Sequence, residues 1–272
     1  MIETTDEVTL GRHRIFTISV GTGHPLLLIM GLGGNCEMWR PLLPYFRHRH
    51  VIAFDAPGTG RSSTPAWGVP VPELARLAVE VLRHYGVARA DLLGYSYGGA
   101  VAQQLAFQHP VAVRRLVLAA TTMGAGSPLG DPRAAQELAT PARYYDPDLF
   151  ERSAAEIYGG RVGRDAEIRS RMAAGRSTHP PSPYGYNLQL LAGMGWTSQP
   201  FARFISQPTL IISGDDDPLV PIQNAHSLAN EIPHATLEVV KGAGHLLLLD
   251  EAERVARIIN AFYDRPMATP SA

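Results

Sequence analysis

The chain has 272 residues, with 24 Lys and Arg against 25 Asp and Glu, a formal net charge of −1 and no long run of either sign. That balance gives nucleic-acid binding no electrostatic support. The single cysteine, Cys36, excludes an intrachain disulfide and suits a reducing compartment, and the longest apolar runs, PLLLIM and HLLLL, are too short to cross a bilayer. The opening MIETTDEVTL is acidic and polar, unlike a secretory leader. The expectation is a cytoplasmic protein without integral membrane association, large enough for one domain carrying an insertion. Nothing in the pattern fixes an oligomeric state.

In chain order, residues 14–20 and 26–30 read as an opening hairpin joined by Gly21-Thr22-Gly23. Residues 38–47 have helical spacing, 51–54 form a short apolar run of the buried-strand kind, and 72–85 are helical again. A strand at 91–93, a helix at 98–108 that stops before Pro110, and a strand at 116–119 follow. The alternation then breaks. From about 122 to 200 there is no buried-strand pattern, only short helical segments among many Pro, Gly and Tyr. It resumes with strands at 209–213 and 237–240 and helices at 222–232 and 251–263. Strands alternating with helices predict an α/β chain, with a mostly parallel sheet covered by helices on both faces. The division expected is a core of residues 1–121 and 201–265, a helical cap of residues 122–200, and a disordered tail from 266 to 272.

The chemistry concentrates at the ends of the predicted strands. Residues 94–99 read Gly-Tyr-Ser-Tyr-Gly-Gly between a strand and a helix. Gly-x-Ser-x-Gly in that setting is the nucleophile-elbow pattern: a strained turn exposes the serine, and the helix start points free N–H groups at it. A serine hydroxyl needs a base. Of the ten histidines, His48 and His50 precede a strand, and His84 and His109 fit helix ends. His245 lies in KGAGHLLLLDE, a glycine-rich loop just after the last strand. A catalytic imidazole in turn needs an orienting carboxylate. Asp215, Asp216 and Asp217 in TLIISGDDDPLVP directly follow a strand, where α/β sheets gather their chemistry. Two further glycine motifs also follow strands. LLLIMGLGGN stands where a second backbone N–H, that of Leu32, could join the N–H of Tyr97 in an oxyanion hole, and FDAPGTGRSSTP reads as a tight turn.

With these motifs in this order, residues 8–264 resemble an α/β-hydrolase. Within that superfamily they are most similar to the intracellular bacterial polyhydroxyalkanoate depolymerases. The stretches FDAPGTGRSSTP, LVLAATTMGAG, EIYGGR, LQLLAGMGWTS, QPTLIISGDDDPLVP and GHLLLLDE carry the resemblance. It implies the α/β-hydrolase fold, with the cap inserted after the sixth strand. Gly214 to Pro221 fits the family's Gly-x-x-Asp-x-x-Val-Pro and selects Asp217 among the three aspartates. The implied roles are Ser96 as nucleophile, His245 as base and Asp217 as its orienter. The chain departs from the pattern at Met30, where many members carry His, and at Tyr97, where the depolymerases carry Trp.

The expected activity is hydrolysis of carboxylic esters through an acyl-enzyme, of 3-hydroxyalkanoate esters or polyester. A generic medium-chain carboxylesterase, a lactonase or a thioesterase could use the same triad, as could a perhydrolase or a C–C bond hydrolase. A ligand-binding protein on the fold, without turnover, is the reading from a different class. Gly31, Tyr95, Tyr184, Tyr186, Leu190, Met194, Trp196 and Leu246 are the candidate lining of an apolar acyl pocket, with no charged anchor for substrate among them. No metal or other cofactor is expected: no His/Cys cluster has ligand spacing, the aspartate run lacks a calcium-loop pattern, and no dinucleotide fingerprint occurs.

Overall fold

The short apolar runs become the middle of an eight-stranded sheet. The structure, a computed structural model, describes residues 3–266, so the tail expected from residue 266 lies, but for Pro266, outside the described residues. The strands are β1 (Glu3–Leu10), β2 (His13–Val20), β3 (His24–Ile29), β4 (Arg49–Phe54), β5 (Ala90–Tyr95), β6 (Val113–Ala119), β7 (Thr209–Gly214) and β8 (Ala235–Val240). Their order across the sheet is β1-β2-β4-β3-β5-β6-β7-β8. β2 runs antiparallel to both β1 and β4, and every other neighbouring pair is parallel. The central strands are buried on both sides, which is why they read as continuous apolar runs rather than alternating ones.

Helices α1 (Val71–His84) and α2 (Tyr97–Gln108) pack on one face of the sheet. Between β6 and β7 come α3 (Pro132–Leu138), α4 (Ala142–Tyr145), α5 (Pro147–Tyr158), α6 (Gly160–Arg164), α7 (Ala166–Ser177) and α8 (Pro183–Met194). After them stand α9 (Gln223–Glu231), α10 (Leu247–Asp250) and α11 (Ala252–Tyr263). α1, α2 and α9 share one apolar core with one side of the sheet, and α11 shares the other core with residues of the insert. The sequence dictates the α11 contact. Val255, Ala256, Ile259, Phe262 and Tyr263 recur at helical spacing, form one stripe and are buried.

Three elements differ from the sequence expectation. β2 and β3 do not form a hairpin, because β4 lies between them. The Gly21-Thr22-Gly23 link passes so close to the start of β4 that a Cβ on Gly23 would stand 2.3 Å from the His48 carbonyl oxygen. The hairpin partner of β2 is β1. That strand is exposed along most of its length, so it leaves no apolar pattern to read. Residues 38–47 make two 3₁₀ turns, Cys36–Trp39 and Leu43–Phe46, in place of a helix. Pro41 and Pro44 lack the N–H groups that a continuous α-helix would use. No helix of the described residues is long and apolar enough to cross a membrane.

Candidate active site

The turn between β5 and α2 holds Ser96 at φ 53 and ψ −120, a left-handed conformation that side-chain-bearing residues rarely adopt. Its surroundings leave no room to relax. A Cβ on Gly98 would lie 2.0 Å from the Ile29 carbonyl oxygen, and one on Gly94 would lie 2.5 Å from the Gly98 carbonyl oxygen. Only glycine at these two positions lets helix and strand ends approach so closely. The turn is tied down by hydrogen bonds from Ser96 N–H to the Ala119 carbonyl (2.9 Å) and from Thr121 Oγ1 to the Ser96 carbonyl (2.7 Å).

The loop after β8 brings His245 over this serine. Its Nε2 is 3.0 Å from Ser96 Oγ, and its Nδ1 is 2.8 Å from Asp217 Oδ2. The ring stands near Tyr95 (centroids 5.4 Å apart) and Tyr158 (6.2 Å apart, nearly parallel). The His245 N–H donates to the Tyr158 carbonyl at 2.7 Å, and the Tyr95 hydroxyl donates to the His245 carbonyl at 3.0 Å. The buried Asp217 accepts the N–H groups of Leu219 and Val220 on Oδ1, both at 2.9 Å, which leaves Oδ2 for the imidazole. The neighbouring aspartates do different work. Asp216, half exposed, accepts Gly160 N–H and the Arg164 guanidinium, and Asp215 accepts Gly242 N–H.

The MGLGGN loop passes beside the serine, so that a Cβ on Gly31 would be 3.2 Å from Ser96 Cβ. The insert grips this loop: the Tyr144 hydroxyl donates to the Leu32 carbonyl (2.7 Å), and Gly33 N–H donates to Gln189 Oε1 (3.1 Å). Among the described residues, no hydrogen bond engages the backbone N–H of Leu32 or of Tyr97. The FDAPGTGRSS motif is a brace. Buried Asp55 accepts the N–H groups of Cys36 (2.7 Å) and Arg61 (2.8 Å), joining two strand-end loops, and burial pushes its carboxyl up.

A cavity of about 490 Å³ opens above Ser96. Gly31, Tyr95, Leu190, Met194, Trp196 and Leu246 border it, as do Leu32 and Tyr97. Burial raises the phenols of Tyr95 and Tyr97 above the usual tyrosine range. Trp196 is also part of the core beneath, and its Nε1 donates to Gln104 Oε1. Tyr184 and Tyr186 correct the expectation. Tyr184 is turned outward and donates to the Ala66 carbonyl. Tyr186 is fully buried behind the cavity wall and donates to the Leu138 carbonyl. α8 is apolar around most of its circumference, so its sequence does not say which face meets the cavity.

A second correction concerns charge. Arg143 on α4 and Arg176 on α7 both border the cavity, and both are almost wholly buried. Burial pushes the Tyr158 phenol up, but the charges of the two arginines and the hydrogen bonds from them outweigh burial and leave it below the usual range. Neither arginine stands in a motif. Arg143 is the one cation of the short α4, Arg176 is one of three arginines on the polar α7, and only packing turns these two inward.

Residues 24–252 match the α/β hydrolase fold family, and the chain belongs to it. It is therefore a hydrolase built on that fold. Over 239 residues it is 42% identical to a poly(3-hydroxyalkanoate) depolymerase of Ectopseudomonas oleovorans, covering 88% of this chain and 83% of that protein. Over 265 residues it is 31% identical to a 2-hydroxymuconate semialdehyde hydrolase of Pseudomonas putida, covering 94% and 92%. The crystal structure of a hydrolase from Pseudomonas aeruginosa superposes with a TM-score of 0.82 at 24% identity, over 96% of this chain and 98% of that one, a likeness of fold.

Proposed function

We propose that the chain cleaves carboxylic esters through an acyl-enzyme, acting on 3-hydroxyalkanoate esters or their polyester. The line of hydrogen bonds from Ser96 through His245 to Asp217 carries the mechanism. His245 Nε2 takes the Ser96 proton as Oγ attacks the ester carbonyl. Asp217 holds the Nδ1 proton and stabilises the imidazolium. The free N–H groups of Leu32 and Tyr97 receive the oxyanion. His245 then returns the proton to the leaving alcohol, and water, deprotonated by the same nitrogen, releases the acid. The 42% identity to a poly(3-hydroxyalkanoate) depolymerase supports the choice of ester, as does a cavity walled mainly by apolar side chains.

In this reading the insert is a cap that selects substrate, and the protein works in the cytoplasm without a cofactor. The test is an activity panel of p-nitrophenyl esters of graded length beside emulsified polyhydroxyalkanoate, with fluorophosphonate labelling. Turnover of the esters, and labelling abolished by Ser96→Ala, is the expected result. A folded protein that neither reacts with the probe nor cleaves any ester refutes the reading.

A further inference from the structure

The cavity above Ser96 is apolar over most of its wall and strongly basic at one place. Arg143 and Arg176 stand there together, exposed by only 3% and 4%, and among the described residues neither has a carboxylate within ion-pair distance. Arg143 spends its donors on neutral oxygens: the Tyr158 hydroxyl (2.8 Å), the Tyr186 hydroxyl (2.9 Å) and the carbonyls of Thr140 (2.8 Å) and Glu137 (3.4 Å). Arg176 lies over the rings of Tyr144, Phe150 and Tyr158 at 5.4, 4.8 and 4.9 Å, and its buried Nε has no hydrogen-bond partner. Two like charges held against the same Tyr144 ring, out of water and without a carboxylate partner among the described residues, are an expensive arrangement for packing alone. An apolar side chain would fill the ring-lined slot of Arg176 at lower cost.

We infer that Arg143 and Arg176 form an anion subsite that takes a free carboxylate of the substrate, so that the protein acts on carboxylate-terminated ester oligomers ahead of neutral esters. The inference rests on the ester-hydrolase reading and adds to it which esters are preferred. A guanidinium is the side chain best shaped for two-point recognition of a carboxylate, and it binds most strongly where water is excluded. The lowered phenol of Tyr158, beside both arginines, reflects a field that favours a negative charge at this wall. The subsite is also close to the reacting atoms. The Tyr158 ring lies 6.2 Å from the His245 ring and 4.9 Å from the Arg176 guanidinium, so one aromatic side chain neighbours both imidazole and guanidinium. The bound carboxylate therefore belongs to the unit at or next to the scissile ester. A hydroxyalkanoate chain offers that group only at its carboxyl end, and the substrate is then a short oligomer entered from that end.

The test compares the linear dimer of 3-hydroxyoctanoate with its methyl ester, which differs only in the missing charge. For the native protein, kcat/KM on the free acid should exceed that on the methyl ester by about 10- to 100-fold, the worth of hydrogen bonds to one charged group. Octanoate should inhibit competitively. Arg176→Met keeps an unbranched apolar stem among the three rings and removes the charge. It should collapse the acid-to-ester ratio toward one and relieve the octanoate inhibition, while Arg176→Lys retains part of both. A purely structural role would lower both substrates alike and leave the ratio standing. If Arg176→Met fails to unfold cooperatively, the native ratio and the Lys variant decide. Equal kcat/KM on the two dimers, or a ratio unchanged in the folded variants, overturns the subsite and leaves the esterase reading in place. Hydrolysis of neither dimer nor any p-nitrophenyl ester overturns both.

Discussion

The strand-end loops and the helical insert meet at one cavity but are built in opposite ways. In the loops, backbone geometry fixes each polar group. Ser96 sits on an elbow closed by glycines, Asp217 is held by two N–H groups, and His245 is anchored through its own N–H and carbonyl. In the insert, six short helices contribute side chains that hold one another, aromatic rings and guanidiniums above all. The loops rest on β5, β7 and β8 of a continuous sheet. The insert leaves and rejoins that sheet at one place, where Gly124 and Thr197 bridge, Ala125 N–H donates to the Trp196 carbonyl, and Ser198 N–H donates to the Met123 carbonyl. A scaffold fixed by backbone suits chemistry that tolerates little displacement. A wall made of side chains can change its shape and charge without disturbing that scaffold. The two regions still touch at decisive points, since Tyr144 and Gln189 grip the MGLGGN loop and the Tyr158 carbonyl holds His245.

The contrast makes graded predictions. The largest effect belongs to the elbow: Ser96→Ala should cut kcat by roughly 10⁴ to 10⁶ with a normal melting profile. Residual turnover near the native rate would remove the strand-end loops from the chemistry altogether. Asp217→Asn should follow, with a loss on the order of 10³ to 10⁴ in kcat, because an amide at that place can favour the wrong imidazole tautomer. Asp216→Asn serves as its control, since that side chain bonds the insert rather than His245, and steady-state rates of the pair measured together should differ by orders of magnitude.

Changes in the insert should act on selection instead. Leu190→Ala widens the cavity and should shift kcat/KM between adjacent acyl lengths by roughly tenfold, the value of a methylene in an apolar pocket. A graded ester series tests this, and equal loss at every length would make the wall structural. Trp196→Ala is a poorer probe, because that ring is also in the core and its removal should cost about 3–5 kcal/mol of stability. The smallest effect is expected at Tyr184→Phe, outside the cavity, where rate and melting temperature should change by no more than about 0.5 kcal/mol equivalent. A strong kinetic effect there would show that substrate reaches beyond the cavity wall.

How much of this was legible depends on what kind of contact fixes each element. Central strands announce themselves because burial on both faces demands unbroken apolar runs. The elbow does so because its glycines answer to local backbone crowding. The order Ser96, one of Asp215 to Asp217, His245 could be read because each follows a strand end, and in a parallel sheet those ends gather at one edge; the resemblance to the family pattern then selected Asp217. β1 was silent, since an exposed edge strand is held by backbone hydrogen bonds that any sequence can make. The 3₁₀ turns near Trp39 imitate helical spacing and differ only through two prolines.

From sequence alone came the α/β layering, the insert after β6 and the strand-end places of Ser96, the aspartate run and His245, because these follow from periodicity and from turns whose requirements are local. Tertiary structure alone decided that β4 separates β2 from β3, which face of α8 meets the cavity, and that Arg143 and Arg176 turn inward beside Tyr158. Those outcomes depend on which surfaces meet after the chain has folded back on itself. A polar helix such as α7, with three arginines, reads the same whichever of them ends over an aromatic ring rather than in water, and only the packed neighbours distinguish them.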